Sequence, residues 1–129
     1  MKNLVFIFLL FVPMALFSAQ TPGLDAISAA LSSGDAVALS RHFGDQVEIV
    51  IDGQGKTYTK GQATDVLRSF FAGNKPQGFT AMHKGQSREN SDLYCIGKMT
   101  AGAGNYRVSI YYKEGAGNVL IQQLRFDKN

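Results

Sequence analysis

The chain has 129 residues, a formal net charge of +3, a single cysteine and no tryptophan. A chain this short supports one hydrophobic core rather than several domains. Its charge is too small, and its basic residues (Lys56, Arg68, Lys84, Arg88, Arg107, Arg125) too scattered, to mark a nucleic-acid partner, and the lone Cys95 excludes an intrachain disulfide.

The front end comes first. Lys2 is the only charge before Asp25, Leu4 to Phe17 is an apolar run interrupted only by Pro13, and Ser18-Ala19 precede the polar Gln20 and Thr21. A basic start, a short apolar middle and a small-residue exit is the layout of a secretory signal peptide. The run is too short for a membrane span, which needs roughly 20 apolar residues. Residues 1–19 are therefore expected to be a signal peptide, cut after Ala19. No cysteine stands at the junction to carry a lipid, so the product is expected to be soluble, without a stable membrane anchor, in the periplasm or outside the cell. The mature chain, residues 20–129, loses Lys2 and keeps twelve basic against ten acidic residues, a net charge of +2. Cys95 lies in the apolar run Leu93-Tyr94-Cys95-Ile96 and reads as a buried structural thiol.

Leu24, Ile27 and Leu31 recur at helical spacing and predict a first helix over about Gly23 to Ser32. Ser33-Gly34 breaks it, and Asp35 can cap a second short helix carrying Ala36, Leu39 and Phe43, with Gly44 as its stop. Val47 to Ile51 reads as a strand, Asp52-Gly53-Gln54-Gly55 as a turn, and Lys56-Thr57-Tyr58 as a short returning strand. Thr59 and Gln62 form a capping-box pair at the start of a third helix. Its stripe of Ala63, Val66, Leu67, Phe70 and Phe71 requires a partner surface, and Gly73 ends it.

Four strands complete the chain: Gly78 to Lys84, Asp92 to Ala101, Asn105 to Lys113 and Asn118 to Phe126. The glycine-rich connections Gly102-Ala103-Gly104 and Glu114-Gly115-Ala116-Gly117 are hairpin turns, so the pairing is antiparallel. Alternation sets Tyr106, Val108, Ile110 and Tyr112 against Arg107, Ser109 and Tyr111. In the last strand it sets Leu120, Leu124 and Phe126 against Val119 and Ile121. Helices before strands give an α+β fold, with three helices on one face of a sheet. The other face is semi-apolar and suits a wet binding surface or a dimer interface.

That element order resembles the nuclear transport factor 2-like superfamily, and within it an uncharacterised secreted bacterial family. The resemblance rests on Ser33-Gly34-Asp35-Ala36, Tyr58-Thr59-Lys60, Phe70-Phe71, Phe79 with His83-Lys84-Gly85, Ile96-Gly97, Tyr106-Arg107-Val108 and Ile121-Gln122-Gln123-Leu124. It covers essentially the whole mature chain. It implies a strongly curved, mostly antiparallel sheet wrapped on the helices as a cone, and a sheet face through which superfamily members often dimerise. It implies no activity.

Superfamily enzymes of the ketosteroid isomerase type place a carboxylate base and a proton-donating Tyr or Asp inside the cone. The matching set is missing here: Glu48 and Asp52 share the face opposite Val47, Ile49 and Ile51, Asp65 lies on the polar side of the third helix, and Asp92, Glu114 and Asp127 sit at strand ends. His42 follows Arg41 at a helix end, a surface place that the dipole favours. His83 alternates with Phe79 and Ala81 and so is expected towards the helices, either as a core histidine hydrogen-bonded to backbone or paired with Tyr58 or Tyr112 in a pocket. Neither a metal site nor a cofactor motif is visible.

The leading reading is a non-catalytic exported domain that binds a small molecule or a protein through its cone or sheet face. Its candidate contacts are Tyr58, His83, Arg107, Tyr112 and Gln122. A small isomerase, lyase or hydrolase built on His83, and a homodimeric interaction module, are the alternatives.

Overall fold

The structure is a computed structural model and describes residues 22–87 and 92–129. The signal-peptide segment, residues 1–19, lies outside the described residues. Three helices, α1 (Pro22–Ser33), α2 (Ala36–Ser40) and α3 (Lys60–Gly73), pack against six strands. The strands are β1 (Phe43–Ile51), β2 (Gln54–Thr59), β3 (Pro76–Gln86), β4 (Leu93–Ala101), β5 (Gly104–Gly115) and β6 (Asn118–Lys128). They form one open, curved sheet in the order β2-β1-β6-β5-β4-β3. Every neighbouring pair is antiparallel except β1 with β6. The α+β class, the three helices and the curved antiparallel sheet all follow the sequence reading.

Local chemistry explains the helix ends. Gly34 adopts φ +68°, and the Asp35 N–H donates to the Ala30 carbonyl at 2.9 Å, the six-to-one bond of a Schellman stop. A Cβ on Gly34 would also come within 2.8 Å of the Pro76 ring. Asp35 then caps α2, its carboxylate accepting from the Ala38 N–H at 3.0 Å. At α3 the Gln62 N–H donates to Thr59 Oγ1 at 3.3 Å and the Thr59 N–H to Gln62 Oε1 at 3.2 Å, completing the capping box. Gly73 is the last helical residue, and Asn74 caps the end by donating to the Phe70 carbonyl. Asn74 Oδ1 accepts from the Tyr106 hydroxyl at 3.0 Å, which satisfies a phenol buried under α3.

Two expected element boundaries are corrected by the structure. The second helix stops at Ser40, and Phe43 opens β1 instead of extending the helix. The chain turns at Arg41-His42, where the His42 carbonyl accepts from the Ile121 N–H at 2.7 Å and draws the next residues into the sheet. The first hairpin also turns tighter than expected. Ile51 pairs with Gln54, and the two loop residues, Asp52 and Gly53, have φ 48° and 83°, as a type I′ turn requires.

The core lies between the helices and the concave side of the sheet. Ile27, Leu31, Leu39, Leu67, Val108, Ile110, Leu124 and Phe126 are fully buried there. Phe70 on α3 joins Phe126 at 4.7 Å and Tyr106 at 5.3 Å between ring centroids. Gly97 admits a close approach at the edge of this filling. The Phe79 ring occupies the space a Cβ at Gly97 would need, and that Cβ would stand 2.5 Å from the Thr80 carbonyl.

β-bulges decide the two faces. In β6, Tyr111 pairs with Gln123 and Tyr112 with Ile121, so Gln122 is the extra residue. It shifts the alternation by one, and Val119, Ile121, Leu124 and Phe126 all become buried on the helix side. The expected opposition of Leu120, Leu124 and Phe126 to Val119 and Ile121 is therefore wrong. Leu120 alone of these turns outward, 39% exposed.

Candidate functional site

The same effect relocates His83. Ala81 pairs with Gly97 and His83 with Ile96, leaving Met82 as a bulge in β3. Before the bulge, Phe79 faces inward and packs against the core. After it, His83 stands beside Ile96 on the outer face and is exposed. The expectation that His83 faces the helices near Tyr58 or Tyr112 fails for that reason. Among the described residues His83 makes no side-chain hydrogen bond or ion pair with a carboxylate.

The five sequence candidates divide between the faces. Tyr58, paired with Val47, packs half-buried against the core edge, and Lys56 Nζ lies 5.6 Å from its ring centroid. It lines a hollow of about 460 Å³ between the β2 edge and Val66 of α3. Tyr112 is buried on the inner face. Burial first, then the Glu114 and Cys95 charges, push its phenol above the ordinary value, so it stays protonated at neutral pH. Gln122 sits half-buried in the β6 bulge. His83 and Arg107 stand together on the outer face. The structure therefore unites two of the five and separates the rest.

The outer face is organised in rows by the register. One row runs Gly85, Tyr94, Tyr111, Gln123, Glu48. Tyr94 lies over Gly85, where a Cβ would collide with its ring, and its ring centroid is 6.5 Å from that of Tyr111. Gln123 Nε2 donates to Glu48 Oε1 at the end of this row. The next row runs His83, Ile96, Ser109, Arg125, Val50. The third runs Thr80, Lys98, Arg107, Asp127. Arg125 Nε donates to Asp127 Oδ2 at 2.8 Å between these rows, and this bond holds the guanidinium more firmly protonated.

At the β3–β4–β5 end of these rows lies a hollow of about 400 Å³, lined by Met82, His83, Ile96, Gly97, Lys98, Arg107 and Asn129. Its walls mix an apolar pair, Met82 and Ile96, with cations. Lys98, Ile96 and Met82 were not among the sequence candidates. The signal for Lys98 was present in the hairpin: once Gly102-Ala103 is the two-residue loop and Ala101 faces Gly104, Lys98 must face Arg107. The signal for Met82 was not, because no local feature marks the bulge.

Cys95 is buried, and burial pushes its thiol up against the weaker lowering effect of Lys84. It is a neutral packing group, as the sequence suggests. No three His, Cys, Asp or Glu side chains converge among the described residues as a metal site would need, and no described helix is long and apolar enough to cross a membrane.

Comparison with known proteins agrees with this architecture. The family model described as a domain of unknown function, DUF4783, matches residues 24–127. A crystal structure of a family protein from Bacteroides ovatus is 33% identical, superposes with a TM-score of 0.73, and is matched over 81% of this chain and 93% of its own. One from Bacteroides fragilis is 29% identical with the same TM-score of 0.73, over 81% of this chain and 96% of its own. An NTF2-like protein of unknown function from Cytophaga hutchinsonii shares the fold at 10% identity and a TM-score of 0.56, over 82% and 86% of the two chains. A search of curated proteins finds no match.

Proposed function

Taking as premise that the chain belongs to the DUF4783 family, we propose that it is an exported, non-catalytic binding domain whose contact surface is the uncovered outer face of the sheet. One observation carries this reading: the interior is filled by aromatic and aliphatic side chains, whereas the outer face leaves an open hollow that brings His83 and Arg107 together. Ligand sites combine an apolar wall with a few convergent polar groups, and Met82 and Ile96 beside His83, Lys98 and Arg107 match that description.

The test is amide chemical-shift mapping of the purified protein against a panel of small polar and amphipathic metabolites. Shifts clustered on β3, β4 and β5 around His83 and Arg107 are expected. Shifts clustered on Tyr58 and Tyr112 would move the site to the inner face and overturn the reading. Export has its own check: protein recovered from a bacterial host should begin near Gln20, and an intact amino terminus in the cytoplasmic fraction would count against it.

A second reading has its own observation. Tyr94 and Tyr111 sit side by side in the middle of the outer face, with Glu48, Lys113, Arg125 and Asp127 around them. An aromatic centre with a polar rim is the anatomy of a protein interface. A second copy of this chain would bury the pair. Sedimentation decides this: a monomer at micromolar concentration would rule it out.

A further inference from the structure

From the charges on the outer face we infer that the hollow beside Arg107 takes a small amphipathic oxyanion, its acidic head between Lys98 and Arg107 and its apolar body against Met82 and Ile96. This rests on the outer-face reading above and adds the chemistry of the ligand. Lys98 and Arg107 are direct cross-strand partners on β4 and β5. Side chains so placed start about 5 Å apart at Cβ, and like charges there oppose strand pairing. The acid in their own row is Asp127, opposite Arg107 on β6. It is engaged elsewhere, accepting from Arg125 at 2.8 Å. Among the described residues neither Lys98 nor Arg107 makes a side-chain hydrogen bond or ion pair.

Both groups are donors without acceptors. Together they present a two-point cationic clamp to a carboxylate or a phosphate monoester. The apolar side of the ligand follows from the bulge. Met82 is lifted out of the β3 alternation and is 61% exposed, although it is a large apolar side chain. Ile96 lies half-buried between His83 and Ser109 in the adjacent row. Met82 is not part of the hydrophobic core, and an apolar chain laid along the hollow would cover it. His83, beside Ile96 on the same wall, adds a donor at the edge of the head group's reach.

The experiment titrates protein purified from cells expressing the full chain with octanoate, octyl phosphate below its micelle concentration, and 1-octanol, read by amide chemical shifts. Either anion should shift His83, Ile96, Lys98 and Arg107 saturably. The tighter of the two identifies the head group as carboxylate or phosphate. The neutral alcohol should bind about 100-fold more weakly than the anions, and so more weakly still than either anion binds a single glutamine variant, because it forfeits the charge-assisted bonds to both cations. Arg107→Gln and Lys98→Gln should each weaken the anion by about 10-fold, with Arg107→Lys falling between, and with the thermal midpoint not lowered because both positions are exposed. Octanol binding the hollow as tightly as the anions would overturn the oxyanion inference and leave the outer-face reading standing. Anion affinity unchanged in both glutamine variants, or no anion moving these amides, would overturn it as well. Shifts confined to Tyr58 and Tyr112 would sink the outer-face reading together with it.

Discussion

The inner and outer faces of this sheet are built from the same strands and obey different rules. At its buried centre the inner face is apolar and its large side chains touch one another: Phe70 meets Phe71, Tyr106 and Phe126, and Phe79 lies on Gly97, while polar residues such as Gln54, Lys56 and Lys84 join it on the outer strands. On the outer face the aromatics Tyr94 and Tyr111 share space with Lys98, Arg107, Gln123 and Arg125. The inner face is constrained by volume, because close-packed interiors tolerate neither gaps nor insertions. The outer face is constrained by charge, because its side chains have room but must find partners. One hydroxyl shows the contrast: Tyr106 on the inner face is hydrogen-bonded to Asn74, while Lys98 and Arg107 on the outer face stand opposite each other with no ion pair among the described residues. A face shaped by packing serves stability, and a face with unpaired polar groups has chemistry left over for something else.

That comparison can be broken by mutation. Phe126→Ala should have the largest effect, because a fully buried ring at the centre of the aromatic group is removed. A loss of about 3–5 kcal/mol in urea unfolding is expected, and a loss below 1 kcal/mol would mean that the interior is not close-packed. Gly97→Ala should cost about 1–3 kcal/mol by overpacking, since its Cβ meets a backbone carbonyl as well as the Phe79 ring. Gly97→Ala combined with Phe79→Leu should recover part of this, which separates the ring clash from the backbone one.

A graded effect is expected in alkali. Burial raises the phenols of Tyr106 and Tyr112 above 10.0 and the thiol of Cys95 above 9.0. The folded state therefore keeps these protons longer than the unfolded chain does. Their contribution is fully present below pH 9 and is lost as pH rises through that window, since the unfolded state then binds fewer protons than the native one. Midpoints of denaturant unfolding should fall from pH 9 towards pH 11, and Tyr112→Phe should flatten the fall. The smallest effect belongs to the outer face: Lys98→Gln should change stability by less than about 0.5 kcal/mol, in the stabilising direction if like-charge relief dominates. A larger loss would show that Lys98 has a structural partner.

Much of the fold was legible because its signals are local. The capping box of Thr59 and Gln62, the Schellman stop at Gly34 and the stripe on α3 are each contained within a few consecutive residues. The strands of β5 were assigned to the correct faces, as Tyr106, Val108, Ile110 and Tyr112 are all buried. Phe43 suits helical spacing and strand spacing equally well, so the helical pattern runs past Ser40, where the second helix ends. The candidate site was only half legible. Arg107 and His83 line one hollow, but His83 does so by facing the opposite way from that expected.

Sequence alone determined the element order, the α+β class and the family resemblance, because periodicity, caps and turn residues act over short distances. It also determined that packing, not disulfides, must hold the fold, since Cys95 has no partner cysteine. Tertiary structure decided which side chains share a surface. The bulges at Met82 and Gln122 each insert one residue and exchange the faces of everything after them in their strands. β3 lies against α1, and β6 carries Phe126 into the α3 aromatics, so the partners that each bulged strand must fit lie far away in the chain. That is why His83 and Arg107 line one hollow on the open face while Tyr58 and Tyr112 stay with the core.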